Sequence, residues 1–391
     1  MSELLTQQVN QQRHSKSRQR SERRFRLYCI SAVGMACAFL VFFFANLIYT
    51  GSSAFLQTEI RVDVSYSEKS QKLPPAALDD ETRYLVSRGW LRLLPQRIEA
   101  NPELLGTTET LWVLADAEVD QYLKGKANRL KRMDREVVDR LKEEDRAKLV
   151  FNTYLFTNGD SKMPELAGIW SAAVGSCYVL FITLLFSFPI GVMTAVYLEE
   201  YASDNHLTQA IEVNINNLAA IPSILFGLLG LAIIINFFGV PRSSAVAGGL
   251  TLGLMTLPII IISSRAALRA VPSSIRQGAL GVGASQWQTI WHHVLPLSLP
   301  GMLTGTIIGL AQAMGETAPL LIVGMMAFIP EAPDSFTDSA TVLPAQIYTW
   351  ASESLRAFEA RTAAAILILM AVLLTFNATA VLLRKKFQRR W

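Results

Sequence analysis

The residues of this chain best placed to do work form a docking element. Between two long apolar runs stands Gln277-Gly278-Ala279-Leu280-Gly281-Val282-Gly283, followed by Ala284-Ser285-Gln286-Trp287-Gln288-Thr289-Ile290-Trp291-His292-His293-Val294-Leu295-Pro296. Helical spacing sets Trp287, Ile290, Trp291 and Val294 at i, i+3, i+4 and i+7, an apolar stripe flanked by Gln286, Gln288 and His292. A partner protein could grip that stripe. A second chemical feature is Glu316, inside an apolar run, where a charged side chain costs about 2.5–3.5 kcal/mol on membrane-insertion scales. Either it belongs to a polar pathway or it bonds a neighbouring helix. Gln312 lies four residues earlier, on the same face of a continuous helix. Arg265 and Arg269 stand where an apolar run ends, and read equally well as pathway residues or as membrane-boundary anchors.

Catalytic chemistry has no comparable signature. The chain has no G-x-x-x-x-G-K-[ST] loop to cradle nucleotide phosphates, no H-E-x-x-H, no Gly-x-Ser-x-Gly and no Cys-x-x-Cys. His292 and His293 are adjacent, so on a helix they diverge and are poorly placed to share one metal ion. The three cysteines, Cys29, Cys37 and Cys177, all fall in apolar runs, without metal-site or disulfide spacing.

The elements that must position these residues are membrane helices. Of 391 residues, 51% are hydrophobic and 17% charged, and the mean hydropathy is +0.30, too apolar for a typical soluble domain. Runs able to cross ~30 Å of hydrocarbon lie at 27–49, 170–198, 218–238, 245–264, 297–326 and 362–383. Pro189, Pro222, Pro258 and Pro319 fall within them, as kink sites or simply as the prolines common in membrane helices. The net charge is only +4, but its placement is uneven. Arg13, Lys16, Arg18, Arg20, Arg23, Arg24 and Arg26 precede the first run, Arg265, Arg269 and Arg276 follow the fourth, and Arg384, Lys385, Lys386, Arg389 and Arg390 follow the sixth. The positive-inside rule then puts both termini in the cytoplasm and makes 27–49 an uncleaved signal anchor.

This gives a basic tail at 1–26, a first span at 27–49, an extracytoplasmic insertion at 50–168, a membrane core at 169–385 with its docking loop at 276–296, and a short tail at 386–391. Within the insertion, Asp120 to Lys148 carries Leu123, Leu130, Met133, Val137 or Val138 and Leu141 among alternating charges, the pattern of a solvated helix with a narrow apolar seam. Asn158-Gly159-Asp160 reads as the turn back toward the membrane.

The docking segment resembles the signature of ABC importer permeases, with Gln277-Gly278-Ala279 in place of a Glu-Ala-Ala triplet, Gly283 as its glycine and Leu295-Pro296 as its ending. Ile221-Pro222-Ser223-Ile224-Leu225-Phe226-Gly227-Leu228, Leu257-Pro258-Ile259-Ile260-Ile261, Ala267-Leu268-Arg269-Ala270-Val271-Pro272 and Gly315-Glu316-Thr317-Ala318-Pro319-Leu320-Leu321 look like the PstA-type permeases of phosphate importers. The resemblance covers about residues 165–385. It implies an all-α integral membrane protein with six transmembrane helices of the ABC importer permease type, in the bacterial inner membrane. It also implies ATPase-coupling roles for Gln277, Ala279, Gly283, Trp287, Ile290, Trp291, Leu295 and Pro296, and a translocation pathway involving Glu316, Thr317, Gln312, Arg265 and Arg269. The implied partners are a PstC-type second permease, a PstB-type ATPase dimer and a PstS-type periplasmic phosphate-binding protein. ATP and Mg would be bound by the partner ATPase, with no cofactor in this chain.

Three positions depart from that pattern. Gln277 replaces the usual acid, His293 an aliphatic residue, and Gln312 stands where an arginine is expected. The sequence is also compatible with two other functions: a permease for molybdate, tungstate or sulfate, and a non-transporting sensor or assembly protein that binds a partner through its insertion.

Overall fold

A computed structural model describes residues 2–387, with side chains described from residue 21 to 382 and at Lys385. The basic side chains expected at Arg13, Lys16, Arg18, Arg20, Arg384, Lys386, Arg389 and Arg390 lie outside those described residues. The chain divides into two units, residues 1–50 and 51–391. The first is a single helix, α1, which runs Ser2–Ser52 and contains an apolar stretch long enough to cross a membrane.

After α1 the chain enters a small α/β module. A three-stranded antiparallel sheet, in the order β2-β1-β3, is built from β1 (Leu56–Ser65), β2 (Thr108–Leu114) and β3 (Ala147–Phe151). Alternation fixes its register: Ile60, Val62 and Val64 are buried while Arg61, Asp63 and Ser65 point to solvent. Against the inner face pack Leu85, Leu94, Ile98, Val119, Val138 and Leu141, which gives the module its own core. The charged stretch expected as one helix forms two, α2 (Ala117–Leu123) and α3 (Arg132–Glu143), separated by a bend at Gly125, which has φ +66°. Val138 and Leu141 form the expected seam, but Met133 is exposed.

Buried polar bonds hold this module together and secure the return of the chain to the helical core. The Asp120 carboxylate accepts from the Thr58 amide at 2.9 Å and from its hydroxyl at 2.8 Å. It also pairs with Lys124 at 2.5 Å, and burial pulls the Lys124 pKa down against the raising effect of that pair. The Ser87 hydroxyl donates to Glu165 at 2.6 Å, and burial raises the Glu165 pKa. The return turn is held by the Trp350 indole N–H, which donates to Asp160 at 2.9 Å. Arg361 donates to the Ala167 carbonyl at 2.5 Å.

The core follows with α4 (Trp170–Val196), prolonged by a π-helical turn at Tyr197–Tyr201. Next come α5 (His206–Ala219), α6 (Ser223–Leu229, continued as π-helix Gly230–Phe237) and α7 (Ala245–Arg269). The docking region forms α8 (Ser273–Gly281) and α9 (Gln286–Thr289), which runs through a π-turn at Ile290–Val294 into α10 (Leu295–Gly315). Two short helices, α11 (Ala318–Ile322) and α12 (Leu343–Ala351), precede α13 (Ala357–Phe387).

Among the described residues, five helices are long and apolar enough to cross a membrane, or six if α5 and α6 count as one broken span. The break corrects the expected run at 218–238: the two helices bend by 108°, with Pro222 as the N-cap of α6. A residue preceding proline is sterically pushed out of the helical region, so the chain turns at Ile221. Pro189, Pro258 and also Pro300 lie inside helices, whereas Pro319 opens α11.

Candidate functional site

Two features of the docking segment fix its local shape. Gly283, at φ +89°, takes the left-handed conformation that a glycine adopts without steric cost, and so turns the chain between α8 and α9. Ser285 then caps α9 reciprocally: its hydroxyl accepts from the Gln288 amide at 3.3 Å, while the Gln288 side chain accepts from the Ser285 amide at 2.8 Å.

The expected four-residue stripe divides into two faces. Trp287 and Trp291 are 57% and 56% exposed, and their rings stack with centroids 5.3 Å apart. Ile290 and Val294 are 1% and 0% exposed. Val294 packs with Ala195, Leu268, Val271 and Met302. Sequence spacing marks a helical face but not which part of it the chain covers itself. Leu280 and Val282 join the tryptophans on the exposed side. Of the other expected coupling residues, Gln277, Gly283 and Pro296 are exposed, Leu295 is half-buried and Ala279 is buried.

Behind the segment lies an ionic cluster assembled from four elements. The π-turn at Tyr197–Tyr201 displays Glu199 and Glu200, and successive helical side chains diverge, so each acid meets a different helix. Glu199 takes Arg265 at 2.6 Å and Arg269 at 2.8 Å, both from α7. Arg265 also reaches Glu212 of α5 at 2.5 Å. Glu200 takes Arg276 of α8, whose Nη2 and Nε donate at 2.7 and 3.2 Å. The same guanidinium closes the end of α7 by donating to the carbonyls of Val271 at 2.7 Å and Leu268 at 2.9 Å. From the far side of the Gly283 turn, the Gln286 amide donates to the Glu200 carbonyl. Of the two arginines that the sequence leaves open between pathway and membrane boundary, Arg265 is thus buried between Glu199 and Glu212, while Arg269 pairs with Glu199 from a largely exposed position. Glu199, Glu200 and Glu212 went unremarked in the sequence. The available signal was an acidic pair closing an apolar run opposite three arginines.

Glu316 stands differently. The helix ends at Gly315, and Glu316 is extended, at φ −77° and ψ 128°. It is therefore not inside a continuous span, and Gln312, exposed on α10, does not share a helical face with it. Half-buried, its carboxylate has no hydrogen-bond or ion-pair partner among the described residues. Thr317 follows as the N-cap of α11. That break packs on α6: a Cβ on Gly227 would lie 2.7 Å from Pro319 Cα, so only glycine permits the approach.

These features define a mostly helical, multi-span membrane protein with an exposed docking element at one end of its bundle and, at a helix break, a carboxylate unpaired among the described residues. The chain belongs to the binding-protein-dependent transport system inner membrane component family, whose pattern matches residues 187–390. Membership makes it a multi-pass inner-membrane component of a transport system. A domain of unknown function matches residues 12–83 and 75–132.

Among relatives, the probable ABC transporter permease protein YqgI of Bacillus subtilis is 33% identical over 165 residues, 42% of this chain and 56% of that protein. The phosphate transport system permease protein PstA 1 of Mycobacterium tuberculosis, strain CDC 1551 / Oshkosh, is 32% identical over 231 residues, 58% of this chain and 75% of that protein. The chain thus spans little more than half the length of the first relative and three quarters of the second. Among solved structures, an inward-facing MetNI methionine ABC transporter chain aligns with TM-score 0.45 at 17% identity, covering 57% of this chain and 95% of that one.

Proposed function

We propose that this chain is one of two permease subunits of an ATP-driven importer of inorganic phosphate. The observation that carries the reading is the 32% identity to a phosphate transport system permease over three quarters of that relative's length. The docking element and the broken helices support it. In this reading the complex holds a PstC-type second permease, a PstB-type ATPase dimer that binds ATP and Mg, and a PstS-type periplasmic binding protein. Both termini lie in the cytoplasm, so the Trp287/Trp291 pair faces the ATPase and the α/β module faces the periplasm.

The mechanism follows from the geometry. Closure of the ATPases presses on the exposed tryptophans, and α9 passes the displacement through its π-turn directly into α10, because Gln286–Gly315 is one helix. The far end of that helix is the break at Glu316. The spans contribute movement and a polar lining, and no covalent intermediate forms on this chain. Labelled-phosphate uptake into vesicles containing the assembled complex tests the reading. Uptake should require ATP and the binding protein and resist competition by molybdate, tungstate and sulfate; preferential competition by one of these would reassign the substrate, and the absence of any uptake would favour a non-transporting role.

A further inference from the structure

The docking turn is held on both sides by one residue of another helix. Arg276 on α8 precedes the Gly283 turn and Gln286 on α9 follows it. Arg276 binds the Glu200 carboxylate and Gln286 binds the Glu200 carbonyl. We propose that Glu200 and Arg276 form the clasp through which force on the docking turn is passed to α4, acting as positioning residues for transport. This rests on the functional reading above and goes beyond it, because it places a carboxylate of the force path on α4, whereas position 277 of the docking segment carries an amide.

Three observations separate a clasp from ordinary structural pairing. First, the apolar contacts of Ala195, Leu268, Val271, Val294 and Met302 already bind these elements together. Apolar surfaces resist separation but define direction and register poorly, whereas a guanidinium on a carboxylate fixes both. Second, Arg276 joins three elements at once: its remaining bonds go to the carbonyl end of α7 at Leu268 and Val271, so the guanidinium that meets Glu200 is itself held in a fixed orientation by α7. Third, Glu200 sits on a π-turn, a widened stretch of helix that recurs at functional sites. There the neighbouring Glu199 is committed to α7 through Arg265 and Arg269, which leaves Glu200 as the acid that faces the docking segment.

The test is a double-mutant cycle on the complete complex in liposomes, reading phosphate uptake per ATP hydrolysed beside basal hydrolysis and assembly by size exclusion. Glu200→Gln and Arg276→Gln should each lower uptake per ATP about ten-fold, within the usual range of coupling energies, while basal hydrolysis persists. The double variant should fall no further than the worse single one, because two residues of one link are lost only once. Arg276→Lys, which keeps the charge but not the planar fork, should lie in between and guards against a variant that fails to assemble. Unchanged uptake per ATP in the single variants, or a double loss equal to the product of the singles, overturns the clasp. A wild-type complex that takes up no phosphate overturns the functional reading and the proposal with it, and is distinguishable because the wild type itself then fails.

Discussion

The two ends of the bundle treat carboxylates in opposite ways. Near the docking element, Glu199, Glu200 and Glu212 are each tied to arginine, whereas Glu316 at the helix break has no partner among the described residues. A charge satisfied on every side keeps helices in one arrangement, because removing either partner strands the other in a poorly solvated place. An unpartnered charge adds little to the fold and is available to something outside it. The contrast teaches that the buried Arg265 is held on both sides by the framework, while Glu316 remains the strongest of the proposed pathway residues.

The largest expected effect breaks the paired end. Arg265→Ala leaves Glu212 without an arginine and Glu199 with Arg269 alone, and should destabilise the detergent-extracted protein by about 3–5 kcal/mol, measured by its unfolding transition. A loss below about 1 kcal/mol would mean that these pairs are solvated after all. Next, the two faces of the docking helix should separate. Ile290→Ala, which empties a fully buried site, should cost about 2–4 kcal/mol. Trp287→Ala, on the exposed face, should leave the unfolding transition within about 0.5 kcal/mol and instead weaken ATPase association in a pull-down.

A third case lies between the extremes, since Glu165 is buried and bonded to the neutral hydroxyl of Ser87. Burial raises its pKa in the fold, so the folded state favours the protonated form. Its contribution is fully present below the ordinary carboxylate value and is lost as pH rises from there through the raised value. Glu165→Gln should flatten part of that decline in pH-dependent unfolding of the full chain; Asp116 and Asp160, also raised by burial, should supply the rest. Glu316→Gln should show the smallest stability change, under about 0.5 kcal/mol, combined with reduced uptake. A large loss of stability there would convert Glu316 into another framework charge.

Much of the core was legible because a membrane helix must be long, continuous and apolar, a constraint that reads directly from hydropathy. The docking segment was legible for a similar local reason: Gly283, Ser285 and Gln288 carry turn and cap chemistry within a few residues of each other. The insertion was harder. Ile60, Val62 and Val64 do alternate, but strand pairing joins residues as distant as Ile60 and Val113, and short strands leave a weak local pattern. The buried half of the docking stripe was hidden for the same reason, since periodicity finds a face without saying what covers it.

By itself, then, the sequence determined the helical membrane core, its prolines, the docking turn and the presence of a carboxylate within an apolar stretch. Only the tertiary structure decided which charges are spent. Arg276 and Glu200 lie 76 residues apart and meet at 2.7 Å, while Glu316 meets no such partner among the described residues. Whether a charge holds the fold or serves a ligand depends on what stands opposite it in space, and local sequence carries no record of that neighbour.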